Sequence, residues 1–504
     1  MKNRTMKRPR FHAVWTALAL WASGVGVASA QPGSGGGALP APVFNPPVHF
    51  TTDVRFPFGL ASADFLDANG NPGQDGYPEI AVAGAGVDLF EPEQTDCTYS
   101  PLDHYIRIYH NLGADPNFAW DTNPQNALEE VQVLNIGDAD PEMWAMELAF
   151  ADVTGINGPD LVLVGQDPNV PPSGSGFLVV YKNNGDGTFN STPQVWHTTV
   201  PLEGLVVRDF DLDGDIDIIA SSSNLHDDWF CSTSEQDAVV VFENTTQFPF
   251  NNLTFVVHPA LDLGIPGDLA PGGIATDDFD ALFPGQPLLD LVTPNPKSTS
   301  ITQATNTGNL IFVPDTQNPP PGCDPNGQLV TAASNRFGAD LNWDFASVHI
   351  FSDPNQPVYI DVFHGDGQGS FTNPCDEYTL QTPPNGGLTL MQAYGIDTGS
   401  IDNGPYPDIV AGTWGSSLNS RNAILDLIGI FLGKADGTFQ MDTAAQKAYL
   451  LDNGTPGNIP ANVMVVDLNA DGFDDIVVAD HLYKSDTLDT ITVHINALSV
   501  SSGP

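Results

Sequence analysis

Nine residues of this chain, Asp209-Phe210-Asp211-Leu212-Asp213-Gly214-Asp215-Ile216-Asp217, carry oxygen side chains at positions 1, 3, 5 and 9 and a glycine at position 6. That alternation turns several carboxylates inward on one tight loop, as a hard cation with six to eight oxygen ligands requires. Gly214 supplies the backbone freedom for the sharp turn. The pattern returns as Asp467-Leu468-Asn469-Ala470-Asp471-Gly472-Phe473-Asp474-Asp475. The competing reading is an Asp-rich turn without an ion. Against it, so many carboxylates within a few ångströms repel one another unless a cation or water separates them.

The first ligand positions match a helix-flanked EF-hand loop, but no Glu stands at position 12. Instead Ile218-Ile219-Ala220 and Ile476-Val477-Val478 follow at once, so each loop leads into a β-strand. Related Asp-led stretches open at Asp64, Asp152, Asp278, Asp340 and Asp397, making seven starts along the chain. Between them falls a second motif: Asn184-Gly185-Asp186-Gly187-Thr188-Phe189, Gly365-Asp366-Gly367-Gln368-Gly369-Ser370-Phe371 and Ala435-Asp436-Gly437-Thr438-Phe439. Gly paired with Asp or Asn between β runs makes hairpin turns. Each unit therefore reads strand, Asp loop, strand, variable loop, strand, Gly-Asp-Gly turn, strand. Seven such units predict an all-β, seven-bladed β-propeller of four-stranded antiparallel blades, without amphipathic helices. The last unit stops one strand short, after Thr490–Asn496. Residues Val43–Phe50 resemble the outer strand around Thr188–Trp196, so the N-terminal strand is expected to complete the last blade and close the ring.

The 504 residues carry 62 Asp and Glu against 15 Lys and Arg, a formal charge of −47. Such a surface repels nucleic acid and anionic membranes and attracts cations. With 41% hydrophobic residues and recurring apolar runs, the chain is not read as disordered. Residues 1–30 read as a secretory signal: Lys2, Arg4, Lys7, Arg8 and Arg10, an apolar run from Ala13 to Val27, and cleavage after Ala30. No later run is long and apolar enough to span a membrane, so a secreted or cell-surface monomer is expected. Residues 31–43 form a flexible Pro/Gly linker, 44–497 the propeller, and 498–504 a short tail. Four cysteines in an exported chain suggest two disulfides, with Cys323–Cys375 favoured because it brackets one repeat, leaving Cys97–Cys231.

The Asp-loop strand with the Asp-Gly-Thr-Phe turn resembles the FG-GAP/VCBS repeat of integrin-α-like propellers, over nearly all of residues 44–497. The resemblance is most specific at the loops of Asp209 and Asp467 and poorest at Asp340. It implies seven blades with structural Ca2+ in the loop between the first and second strands of several of them. Carried across, the ligands are Asp209, Asp211, Asp213 and Asp217, and Asp467, Asn469, Asp471 and Asp475. The backbone carbonyls of Asp215 and Phe473 serve at position 7. Asp278, Asp280 and Asp290 form a third candidate site, and Asp397, Asp402 and Asp408 a fourth, both with altered spacing. The loop of Asp64, Asp67, Asn69, Asp75 and Glu79 has enough oxygens but unusual length. The Asp152 loop has Ile156 where a ligand belongs, and the Asp340 loop lacks the glycine and a ninth-position Asp, so tight binding is expected at neither.

The resemblance also implies that ligands meet the opposite face, built from the second-to-third-strand loops and the blade connections, Trp144 lying just ahead of the second blade. Trp144, His226, Trp229, Trp414, Arg421, His481, Tyr483 and Lys484 are the candidate residues there. Aromatic and cationic groups on an acidic protein suit a glycan, an acidic sugar or an extracellular protein, although singly placed Trp and His also serve to pack loops. No metalloprotease helix, nucleophile elbow, phosphate loop or dinucleotide fingerprint occurs, so no catalytic residue is assigned. The expected function is a non-catalytic binding or adhesion module. The alternatives are a polysaccharide lyase, with His481 and Tyr483 or His226 as proton-transfer groups, and a structural cell-envelope protein.

Overall fold

In a computed structural model, the described residues are 42–52, 54, 57–67, 69–84, 105–113, 115, 117–120, 123–136, 143–167, 175–222, 238–246, 253–262, 273–280, 288–295, 300–317, 328–350, 356–372, 375–381, 390–392, 395–402, 404–416, 423–441, 449–452, 458–482 and 489–498.

These residues form seven antiparallel sheets. Blade 1 comprises Pro57–Ala63, Glu79–Gly84, Tyr105–Asn111 and Leu128–Asn135. Blade 2 comprises Trp144–Ala151, Asp160–Asp167, Ser175–Tyr181 and Gln194–His197. Blade 3 runs Gly204–Arg208, Asp217–Ser222 and Ala238–Asn244, with a fourth strand broken into Phe255–Val257 and Leu261–Asp262. Blade 4 is Ala275–Asp277, Asp290–Asn295, Ser300–Asn306 and Phe312–Gln317. Blade 5 has a broken first strand, Gln328–Leu329 and Ala333–Asn335, then Asp344–Ile350, Val358–Phe363 and Asp376–Gln381. Blade 6 is broken on both edges: Leu390–Gln392 with Ile396–Gly399, Asp408–Ser416, Ala423–Gly433, then Phe439–Gln440 with Tyr449–Asp452. Blade 7 takes Asn458–Val466, Asp475–Leu482 and Thr490–His494 from the C-terminal end, and Val48–Thr51 from the N-terminal end.

That last pairing is the expected closure. Val48 lies opposite Val493 and Thr51 opposite Thr490, and a bridge joins Phe44 to Asn496. The chain is thus a seven-bladed β-propeller, and its described helical content is one 3-10 turn at Pro124–Asn126.

Strands in the middle of a blade are buried on both faces, so their apolar runs are continuous rather than alternating. Successive side chains point to opposite faces. In blade 2, Leu161 and Leu163 pack toward blade 1, while Val162 and Val164 pack toward blade 3. The same division produces one apolar cluster at each of the seven junctions, the last joining Val477 and Val493 of blade 7 to Ile80 and Val82 of blade 1. Each fully buried Phe, Val or Ile contributes about 1.5–3 kcal/mol. The ring is therefore held chiefly by side chains between sheets.

The innermost strands surround the axis. Register shifts at Pro57/Gly59, Ala145/Glu147 and Pro460/Asn462 place β-bulges in blades 1, 2 and 7. A cavity of about 110 Å3 lies there, lined by Glu147, Leu205, Ile274, Ala332, Ile396 and Asn462 of six different blades. Asn462 Nδ2 donates to Phe58 O at 2.7 Å, tying blade 7 to blade 1 across this level.

Candidate metal centre

All seven second strands begin with an acid: Glu79, Asp160, Asp217, Asp290, Asp344, Asp408 and Asp475. All are buried. Each stands at the ninth position of its Asp loop, the insertions in the loops of blades 1 and 4 left out of the count, and its two oxygens do different work. In blade 3, Phe210 N donates to Asp217 Oδ2 at 3.1 Å and Asn244 N to Asp217 Oδ1 at 2.9 Å. One carboxylate therefore closes the loop and pins it to the end of the third strand. Asp160, Asp344, Asp408 and Asp475 repeat both contacts, at Thr154 and Asn183, Phe337 and Gly365, Ile401 and Gly433, and Leu468 and Asn496. Burial pushes Asp217 and Asp290 up to about 7 and Asp475 and Glu79 up to about 8, against the pull of these backbone donors.

The first ligand position is held in the same manner. Asp209 Oδ2 accepts Gly214 N at 3.0 Å, and Asp467 Oδ2 accepts Gly472 N at 2.9 Å. Both glycines have positive φ, +99° and +89°, which side chains rarely adopt. Along the loop, Asp211 Oδ1 accepts Asp213 N and Asp213 Oδ1 accepts Asp215 N. Asp209, Asp211 and Asp217 bring one oxygen each within 4.8 Å of one another, as do Asp278, Asp280 and Asp290. Asp209 Oδ1 is a buried atom with no hydrogen-bond partner. A buried oxygen without a donor, among carboxylates raised by burial and by one another, is the environment a divalent cation would complete. In blade 7 a neutral amide enters the ring, since Asn469 Nδ2 donates to Asp471 Oδ2 at 3.1 Å.

Three loops are read in a different register from the one expected. In blade 5 Phe337 occupies the second position, so Arg336 stands at position 1, Asp340 at position 5 and Asp344 at position 9. The ninth-position Asp expected to be missing is therefore present. The Arg336 guanidinium lies 4.5 Å over the Trp343 ring and brings a positive charge to the loop. In blade 6 the loop starts at Ser400, because Ile401 N and Asp402 N both donate to Asp408 Oδ2. Asp397 is not a loop residue. It sits on the first strand, where its carboxylate accepts Val465 N of blade 7 at 2.8 Å and Thr398 N at 2.8 Å. In blade 1, Gly76 N donates to Asp64 Oδ2 and Phe65 N to Glu79 Oε2, so the insertion falls between positions 1 and 5. Asp67 caps the inserted turn through Asn69 N and Asn71 N.

The loops also fasten neighbouring blades, which the sequence reading missed. The second-position carbonyl of one blade accepts an Asn amide from the next. Asn111 donates to Leu468 O at 2.9 Å, Asn244 to Val153 O at 2.9 Å, Asn306 to Phe210 O at 2.8 Å and Asn496 to Ile401 O at 2.6 Å. Each of these Asn also donates to the carbonyl at position 8 of its own loop. Second-position Phe side chains reinforce the junctions edge to face. Phe65 meets Phe189, Phe279 meets Phe371 and Phe337 meets Phe439, with centroids 5.8, 5.7 and 5.2 Å apart. The Phe of the Asp-Gly-Thr-Phe turn is thus a plug for the preceding junction.

Of the residues expected on the opposite face, Trp144 is buried at the start of the first strand of blade 2 rather than in a loop. Trp414 lies within the second strand of blade 6, in register with Gln392 and Asp426. His481 lies on the second strand of blade 7, opposite Ile459. His226, Trp229, Arg421, Tyr483 and Lys484 fall outside the described residues. Cys375 is disulfide-bonded, and Cys97, Cys231 and Cys323 fall outside the described residues. Among the described residues no helix is long and apolar enough to cross a membrane.

Residues 152–220 match the FG-GAP-like repeat family. That stretch runs from the Asp loop of blade 2 into the second strand of blade 3, one full period of the ring. No curated protein matches the chain. A solved structure described as "Structure of Dos1 propeller" is similar at 9% identity and a TM-score of 0.42, over 90% of this chain and 95% of that one.

Proposed function

We propose that this propeller, with its FG-GAP-like repeat, is an exported, calcium-stabilised and non-catalytic binding module. The cation role rests on Asp209 Oδ1, a buried oxygen without a donor among three carboxylates gathered within 4.8 Å. Ca2+ there neutralises the crowded carboxylates and fixes a loop whose second-position carbonyl is a blade-to-blade fastener. An ion that binds only the folded ring stabilises it by mass action. Export follows from the signal-like residues 1–30, and the strongly acidic composition suits a partner other than nucleic acid.

The partner is a surface glycan or an extracellular protein, met on the face away from the Asp loops. Two assays separate binding from catalysis. A glycan array with signal, but no ultraviolet absorbance from unsaturated uronate products on acidic polysaccharides, supports the binding module. Product formation overturns it in favour of a lyase. For the ion, isothermal titration of the metal-stripped protein with Ca2+ is expected to show saturable sites, one of them weakened in Asp209→Asn. Absence of saturable uptake overturns the calcium role.

A further inference from the structure

One row of the blades is polar where apolar packing would be expected. Five residues beyond the acid that heads the second strand stand Asn295 in blade 4, His349 in blade 5 and Asp480 in blade 7. Each reaches diagonally to the third strand. Asn295 Nδ2 donates to Thr302 Oγ1 at 3.0 Å, and Thr492 Oγ1 donates to Asp480 Oδ2. In blade 7 the fourth strand adds His49, whose Nδ1 lies 2.9 Å from Thr492 Oγ1. In blades 4 and 7 the central group is a hydroxyl, which both donates and accepts and so can link the row as a hydrogen-bond chain.

Blade 5 breaks that logic. Its central group is Asp361, and the fourth strand adds Glu377 directly opposite in register. Two carboxylates, acceptors only when ionised, now meet one imidazole. His349 Nδ1 lies 2.9 Å from Asp361 Oδ2, and His349, Asp361 and Glu377 each bring one ligand atom within 4.8 Å of the others. His349 and Asp361 are fully buried while Glu377 is exposed. All three share the blade face that carries Phe345, Phe363 and Cys375 toward blade 4.

We propose that His349, Asp361 and Glu377 form a cation site distinct from the Asp loops, for a borderline divalent metal of the zinc class. One imidazole with two carboxylates is a donor set for such a metal, where the all-oxygen loops favour a hard cation. At Zn–N and Zn–O distances near 2.0–2.2 Å, tetrahedral ligand atoms lie about 3.3 Å apart, against 2.9 Å between His349 Nδ1 and Asp361 Oδ2 and at most 4.8 Å to Glu377. Three rigid strands supply the ligands, and Glu377 opens the site to solvent for entry and for a remaining water ligand.

The test uses the full chain, metal-stripped and then held in millimolar Ca2+ so that the Asp loops are filled. Titration with Zn2+ is expected to show one tight site per chain, and Co2+ in its place to give the visible bands of a four- or five-coordinate ion. Because Glu377 is exposed, Glu377→Gln is expected to keep the calcium-dependent melt of the wild type while losing about tenfold or more in Zn2+ affinity. His349→Gln is expected to lose the Co2+ bands. Unchanged Zn2+ affinity in Glu377→Gln, or no stoichiometric uptake by the wild type at micromolar Zn2+, overturns the proposal and leaves a buried His–Asp pair.

Discussion

Replacing Asn306 by Ala tests whether the ring is closed by backbone fasteners as well as by apolar packing. Asn306 Nδ2 donates to Phe210 O of blade 3 at 2.8 Å and to Leu289 O at 3.3 Å, and its Oδ1 accepts Gly308 N at 3.0 Å. Three bonds at roughly 0.5–1.5 kcal/mol each, around a buried site, put the loss at about 2–4 kcal/mol. The informative comparison is Asn183→Ala in blade 2. Asn183 makes the two local bonds, to Pro159 O at 2.9 Å and from Gly185 N at 2.8 Å, so it reproduces everything but the reach across the junction. The difference between the two variants isolates one buried inter-blade bond and its orphaned carbonyl, about 1–3 kcal/mol. Exposed Thr307→Ala, which removes a bond to Ile311 O, is expected to cost under about 1 kcal/mol. Urea unfolding at saturating Ca2+, followed by intrinsic fluorescence, gives the midpoints, and an unchanged slope shows that the same transition is compared. Asn306→Ala and Asn183→Ala agreeing within about 0.5 kcal/mol would refute the fastening role.

Chelation is expected to lower the melting temperature, each site held at 100 times its dissociation constant having contributed about 2.7 kcal/mol. Calcium affinity should rise between pH 6 and 8 as Asp217, pushed by burial to about 7, ionises; a flat titration profile would count against that ligand. Burial pushes Glu147, in the axial cavity, from an ordinary 4.5 up to about 8. Its folded value is the higher one, so its stabilisation is present below the unfolded value and lost as pH rises toward 8. Glu147→Gln should flatten that loss and melt at or above the wild type at pH 8, and calorimetry at pH 5 and pH 8 checks it. Gly187 has φ +84°, and an added Cβ would stand 2.2 Å from Leu66 Cδ2 across the junction of blades 1 and 2. Gly187→Ala is therefore expected to cost about 1–3 kcal/mol in chemical denaturation.

The ring was legible because its two signals are local. A loop of the Asp209 type must enter a strand when β-branched residues follow at once, and the Gly-Asp-Gly turns mark the other hairpin of each blade. Closure by Val48–Thr51 was legible because the last unit lacked a partner for Thr490–His494. Loop register was harder. An Asp that gathers backbone amides and an Asp that faces a cation are the same letter, so Asp340 and Asp397 were read as loop starts. Asp397 instead accepts Val465 N and Thr398 N on the first strand, and the bond from Phe337 N to Asp344 places Asp340 in mid-loop. The fasteners had a signal that went unused: Asn111, Asn244 and Asn306 each end the third strand of a blade, and Asn496 lies two residues past that of blade 7. What they grip lies in the preceding blade, up to 357 residues away for Asn111 and Leu468. The candidate ligand face was least legible, since Trp144, Trp414 and His481 belong to strands, while His226, Trp229, Arg421, Tyr483 and Lys484 fall outside the described residues.

Because Val48–Thr51 is the outermost strand of the blade built from residues 458–494, the earliest part of the ring to be synthesised waits for the latest. Until Thr490–His494 emerges, that segment has no sheet to join, and the growing chain presents an open edge at each end of the arc. Secretion in the unfolded state would suit such an order, with the two ends meeting only after the whole length has crossed. A chain cut short before residue 490 would leave both edges bare and prone to pair with a second copy.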